Sequence, residues 1–140
     1  MAERDPDCVF CKIVAGELPC VKIYEDDHVL AFMDINPTSV GHMLVIPKGH
    51  YDGLLSTPVA ELKSVASVLP KLAAAAVKAV DAEGFNVLQS NSPCAGQVVM
   101  HAHFHIVPRR TGDGIGLGFR QAPPREDDLE KTAQAIRSEL

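Results

Sequence analysis

At 140 residues the chain is long enough for one domain with a real core, and 46% hydrophobic with 22% charged residues is an ordinary globular balance. A formal net charge of −5 without a basic block argues against long nucleic acid as a partner, although a small phosphorylated ligand needs only local donors. No apolar run approaches the ~20 residues of a membrane span, and the polar start Met1-Ala2-Glu3-Arg4-Asp5 lacks a secretory pattern, so a cytoplasmic protein is the default expectation.

In chain order, residues 1–7 read as a polar arm. Cys8 to Val14 fits a short helix or turn, with Gly16 and Pro19 soon after. Val21–Tyr24 alternates apolar and polar residues, Glu25-Asp26-Asp27 is a turn, and Val29–Met33 is a more buried strand; together they predict an antiparallel hairpin. Pro37 breaks the pattern, and His42–Ile46 is a third strand closed by Pro47. Thr57 and Pro58 suit a helix start, as a capping hydroxyl and a first-turn proline. Val59, Leu62, Val65, Leu69, Leu72, Ala76 and Val80 follow at spacings of three and four, one apolar stripe. Pro70 should kink or split this helix, and Gly84 should stop it. Phe85–Gln89 is a fourth strand, and Ser90–Gly96 a loop of small residues. Gly112, Gly114, Gly116 and Gly118 make a flexible segment that lacks the Gly-Lys-Ser/Thr ending of a phosphate loop. A C-terminal helix over 125–140, with a thin stripe at Leu129, Ala133 and Ile136, would pack on the body or on a partner subunit. The class is α+β, an antiparallel sheet backed by one long helix.

The fifth strand carries the chemistry. His101-Ala102-His103-Phe104-His105-Ile106 alternates imidazoles with apolar residues, a period of two. At roughly 3.3 Å per residue, alternate rings stand about 6–7 Å apart on one face, with Ala102, Phe104 and Ile106 on the other. A metal, a phosphate or another acidic ligand would occupy the space before the rings; the bland alternative is a solvated edge strand. The four cysteines, Cys8, Cys11, Cys20 and Cys94, do not make a secreted disulfide framework. The close pair Cys8/Cys11 suits a metal half-site or a redox pair. Buried, inert thiols are the third reading, and Cys20 and Cys94 read as structural.

The run His101–Val107 resembles the histidine-triad (HIT) signature, His-φ-His-φ-His-φ-φ with φ apolar. Cys8–Ile13, Phe32–Pro37, Gly41-His42 through His50, and Ala95-Gly96-Gln97 resemble further landmarks of that family in the same order, so that the likeness covers about residues 8–108 of a single domain. The resemblance implies a five-stranded antiparallel sheet per subunit, a homodimer whose sheets join, and hydrolysis of adenine-type nucleotides at the α-phosphate. It implies a covalent AMP-histidine intermediate on His103, donation to phosphate by His105, support of the triad by His42 with His101, and orientation of water or phosphate by Gln97. Phe10, Ile13, Phe32 and Ile35 would hold the base and Asp34 the ribose hydroxyls, with Ser90 and Asn91 in the loop near the phosphate. Without the resemblance, those four apolar residues read as core and Asp34 as a turn residue. The resemblance also implies a structural zinc on Cys8, Cys11, His50 and His101. Three positions depart from the family pattern: Val98 stands where many relatives carry a hydroxyl, and Ser90 and Ser92 replace an amide and a glycine. The rival functions are a nucleotide-binding regulatory module with little turnover, and an enzyme whose three histidines ligate a catalytic metal.

Overall fold

Asp26 turns the chain between the first two strands. Its carboxylate accepts the His28 and Val29 N–H groups, both at 2.8 Å, and the Tyr24 hydroxyl at 2.7 Å, the local bonding that makes Asp a turn residue. In this computed structural model, which describes residues 3–116 and 137–138, the turn joins β1 (Lys22–Glu25) to β2 (Val29–Met33), the expected hairpin. β3 (Met43–Pro47), β4 (Gly84–Leu88) and β5 (Phe104–Arg109) complete a five-stranded sheet of order β1-β2-β3-β5-β4, every pairing antiparallel. α1 (Val9–Val14) precedes the sheet and α2 (Val59–Val80) connects β3 to β4. Among the described residues, no helix is long and apolar enough to cross a membrane.

Strand alternation divides the core in two. Val29, Ala31, Met43, Val45 and Ile106 face α2, where they meet Val65, Val68, Leu72, Ala73 and Ala76. Leu30, Phe32, Leu44 and Ile46 face the N-terminal turn and pack on Cys8, Phe10 and Cys11. Each large side chain so buried contributes about 1.5–3 kcal/mol. A slip of one residue would exchange the two sets, so both faces specify the register. Leu44 pairs with His105, which puts that histidine on the face covered by α1.

Several boundaries differ from the sequence reading. The histidine strand begins only at Phe104: the Ala102 N–H donates to the Tyr51 carbonyl at 2.7 Å and the His101 N–H to Val99 at 2.9 Å, which turns 101–103 away from the ladder. β1 starts at Lys22 rather than Val21, although Val21 still accepts the Met33 N–H at 2.9 Å. Pro47 is the last residue of β3, tolerated because β5 pairs only with Met43–Val45. Thr57 does not cap α2; its hydroxyl donates to the Gly53 carbonyl at 2.8 Å, and Pro58 is the N-cap. Pro70 does not split the helix. It lies on the exposed side with Ala66, whose carbonyl it leaves without a donor, and water can satisfy that group. Val59 is 67% exposed, so the buried stripe starts at Val65. Asp81, with φ 55°, ends the helix in the left-handed region, and Gly84 opens β4, one residue before the expected start. The expected C-terminal stripe at Leu129, Ala133 and Ile136, and Gly118, lie outside the described residues.

Candidate active site and metal centre

A cavity of about 490 Å³ opens between α1, the end of β2 and the start of β5. Phe10, Ile13, Phe32, Asp34, Ile35, His103 and His105 all line it. Phe10 stands edge-on to Phe32 and to His103, with ring centroids 5.5 and 5.2 Å apart. Phe10 and Phe32 are buried, whereas Ile35 is 89% exposed and so is not the core residue its type suggests. Leu18, Pro19 and Cys20 also line the cavity. They come from the irregular segment after α1 and carry no periodicity that could have marked them.

Hydrogen bonds assign the ring protons. His103 Nδ1 lies 2.7 Å from the His101 carbonyl; a carbonyl only accepts, so Nδ1 carries the hydrogen and Nε2 keeps its lone pair. His42 Nδ1 accepts the Thr38 N–H at 2.9 Å, which leaves the His42 proton on Nε2. That nitrogen is 2.9 Å from His105 Nδ1 and 3.4 Å from Asp34 Oδ2. His105 therefore accepts at Nδ1 and carries its own hydrogen on Nε2. Among the described residues neither His103 Nε2 nor His105 Nε2 has a partner, yet no buried side-chain nitrogen is left unpaired, so both are reachable from the cavity. Burial, with His103 and His42 beside it, pushes His105 down to about 4. Burial also lowers His42, against the opposing pull of Asp34. Both rings are neutral near pH 7, as this proton assignment requires. Gly41 permits the approach of His42: its φ is +93°, and a Cβ there would sit 3.0 Å from both Pro108 and Val80.

Beside the cavity, Cys8, Cys11, His50 and His101 bring four donor atoms within 4.8 Å of one another. Cys8 is the N-cap of α1 and its sulfur accepts the Cys11 N–H at 3.4 Å, while the Cys11 sulfur accepts the Asp5 N–H at 3.3 Å. Burial pushes the Cys11 thiol up, so a cation is what would hold it as thiolate. His101 Nε2–H donates to the Pro47 carbonyl at 2.9 Å and His50 Nε2–H to Asp52 at 3.0 Å. Both rings thereby turn Nδ1 lone pairs toward the sulfurs, and the Sγ···Nδ1 separations are 3.4–3.6 Å. Tetrahedral zinc with ordinary Zn–S and Zn–N bonds requires about 3.5 Å there. The donor set and its outer hydrogen bonds fit that ion. Asp34, His42 and His105 also cluster within 4.8 Å, but the proton on His42 Nε2 makes that trio one donor facing two acceptors rather than a ligand set.

A family model for the HIT domain matches residues 15–112. The chain belongs to the HIT family. Over 107 residues it is 50% identical to the adenylylsulfatase HINT3 of Arabidopsis thaliana, a match spanning 76% of this chain and 54% of that protein. It is 43% identical over 136 residues to the adenosine 5′-monophosphoramidase hnt1 of Schizosaccharomyces pombe, covering 95% of this chain and 98% of that one. A zinc-bound histidine triad family protein from Mycobacterium smegmatis superposes with a TM-score of 0.75 at 38% identity, covering 94% of this chain and 91% of that one.

Three of the expected nucleotide-binding residues of this HIT chain stand elsewhere than in the cavity. Gln97 is buried: its Oε1 accepts the Ser92 N–H at 2.8 Å, and its Nε2 donates to the Asp52 and Val99 carbonyls at 2.5 and 3.0 Å. With its amide fully engaged by backbone, it holds the loop before the triad and does not present a donor to phosphate. Asn91 accepts the Leu54 N–H at 2.7 Å and exchanges bonds with the Gln89 amide. Neither Ser90 nor Asn91 lines the cavity, whereas Gly96, Val98 and Val99 do, Val98 with 89% of its surface exposed.

Proposed function

We propose that this HIT protein hydrolyses adenine-type nucleotides at the α-phosphate through an AMP-histidine intermediate on His103. The observation that carries the reading is the 2.7 Å bond from His103 Nδ1 to the His101 carbonyl, which leaves Nε2 as a directed lone pair at the cavity. Nε2 attacks phosphorus, the N–P bond forms as the bond to the leaving group breaks with its electron pair, and the leaving group takes its proton from water in the open cavity. Water then attacks the phosphorus, the N–P electron pair returns to His103 Nε2, the attacking water gives its proton to solvent, and AMP is released. His105 Nε2–H donates to the phosphate oxygens as charge builds there, oriented by His42. Phe10, Ile13, Phe32 and Ile35 enclose the base, and Asp34 accepts from the ribose. The adenosine nucleotides named for the plant and yeast relatives support this substrate class.

Cys8, Cys11, His50 and His101 would hold zinc, and the zinc-bound mycobacterial neighbour supports that ion. With four protein ligands it would supply a cross-link between α1 and the triad segment. β4 is an edge strand with Phe85 and Val87 exposed, which supports a homodimer whose sheets join there. The four free cysteines suit a reducing, cytoplasmic setting.

The test is AMP release by wild type and His103→Ala from adenosine phosphoramidate, adenosine phosphosulfate, diadenosine polyphosphates and an aminoacyl-adenylate analogue. Release by wild type alone is expected. Nucleotide bound by both proteins and released as AMP by neither would favour a binding module instead, a reading to which the exposed Val98, in place of a hydroxyl, lends its weight.

A further inference from the structure

The Asp34 carboxylate faces two ways. Its Oδ1 accepts the Asn36 N–H at 2.8 Å, which fixes the side chain in the turn after β2. Its Oδ2 lies 3.4 Å from His42 Nε2, the nitrogen that also stands 2.9 Å from His105 Nδ1. Because the Thr38 N–H occupies His42 Nδ1, His42 has a single ring proton, and two acceptors compete for it. The side chains of His42 and Asp34 are only 5% and 17% exposed, so water does little to screen the carboxylate from that proton. Asp34 also lines the cavity together with His105, within reach of the ligand that His105 is to serve.

We propose that Asp34 is a positioning residue for His105 as well as an acceptor for the sugar: with no ribose present its carboxylate, 3.4 Å from His42 Nε2, competes for the Nε2–H that bonds His105 Nδ1 at 2.9 Å, and ribose hydroxyls donating to that carboxylate relieve the competition and leave the hydrogen bond to His105 alone. The proton stays on His42 throughout and bonds His105 in both states; what changes is how strongly the carboxylate pulls on it. His105 is then held with Nε2–H toward the phosphate when a ribonucleotide occupies the site, and held loosely when the sugar lacks hydroxyls. Contacts to the sugar, remote from the bond that breaks, thus raise kcat in addition to affinity. A hydroxyl-free nucleotide would bind to a site whose hydrogen-bond donor to the phosphate is less firmly set. This inference rests on the proposed hydrolase reading and extends it to substrate discrimination.

The test compares kcat and KM for AMP release from adenosine phosphoramidate with those for release of the corresponding monophosphate from its 2′,3′-dideoxy counterpart, in wild type and Asp34→Asn. Loss of both hydroxyls should lower wild-type kcat at saturation roughly tenfold. In Asp34→Asn the ratio of the two kcat values should fall to about one, because a neutral amide competes weakly for the His42 proton. A wild-type kcat ratio of one, with the whole hydroxyl effect in KM, would overturn the proposal, and so would a ratio that survives in Asp34→Asn. The second readout is independent of turnover. In His103→Ala, AMP should move the imidazole nitrogen-15 signals of His42 Nε2 and His105 Nδ1, 2′,3′-dideoxy-AMP should leave them in place, and adding Asp34→Asn should abolish the difference. Identical shifts with both nucleotides count against the coupling. Should wild type hydrolyse neither substrate, the hydrolase reading fails, and these nitrogen signals still decide whether sugar and imidazole are linked.

Discussion

His101 and His103 are two residues apart and are anchored in opposite senses. His101 fastens its Nε2–H to the Pro47 carbonyl and turns Nδ1 toward two sulfurs; His103 fastens its Nδ1–H to the His101 carbonyl and leaves Nε2 to the cavity. The first arrangement suits the proposed metal ligand and the second the proposed nucleophile. The residue type is the same, and so is the buried setting. The difference is which ring nitrogen meets a carbonyl, and that is settled by backbone at distant positions. The two centres are also joined, since the His101 backbone carbonyl orients the His103 ring while the His101 side chain belongs to the cysteine cluster. Phe10, between Cys8 and Cys11, packs edge-on against both rings, with centroids 5.8 and 5.2 Å away.

The comparison is broken most severely on the cavity side. His103→Ala should lower kcat on the order of 10³-fold or more while nucleotide affinity, read by calorimetry, stays within about threefold. On the other side, Cys8→Ser should act on stability instead. Metal content should fall and Tm drop by roughly 5–10 °C, with kcat at low temperature changed less than about threefold. Stoichiometric zinc in that variant would show the ligand set to be wrong. A milder probe is His42→Gln, which removes the ring that directs His105 but leaves the nucleophile; kcat should fall about ten- to a hundredfold with KM little altered. Acid addresses His105 itself. Its folded-state value is depressed from 6.5 to about 4, so the unfolded chain takes up the proton first. Its contribution to stability is complete above the unfolded value and is lost as pH falls from 6.5 toward about 4. Urea midpoints across that range should therefore decline less in His105→Gln than in wild type. The smallest effect belongs to Val98→Ser, where relative kcat/KM between leaving groups should move by about threefold and the fold should not change.

The sheet was legible because β2 and β3 are apolar runs bounded by turn residues, and the hairpin turn has its own chemistry at Asp26. Cys8-x-x-Cys11 was equally plain as a pair, but nothing in the spacing points to His50 or His101 as its companions; only the resemblance to the HIT family did. The base-side residues Phe10, Ile13, Phe32 and Ile35 came by the same route. Other features depend on contacts that no local pattern encodes. Gln97 has an amide in any reading, yet which carbonyls it reaches is decided by how Asp52 and Val99 fold around it. The Thr38 N–H that determines the His42 proton is a backbone group, invisible as a residue type. The period-two pattern of His101–Ile106 predicted one continuous strand, and the Tyr51 carbonyl diverted half of it. The alternation survived this bend, with Ala102 and Ile106 still buried.

Cys8 and His101 meet across 93 positions of chain. Loop closure of that length is slow compared with forming α1 or the β1–β2 hairpin. During synthesis from the N-terminus, the sulfurs and Phe10 emerge first and wait for nearly the whole domain before their histidine partner arrives. The segment that bears the proposed nucleophile is thus also among the last parts to be assembled, so a nascent or truncated chain without it lacks two histidines of the proposed nucleotide site and one ligand of the proposed metal cage. Its two thiols remain open to oxidation until that final segment docks.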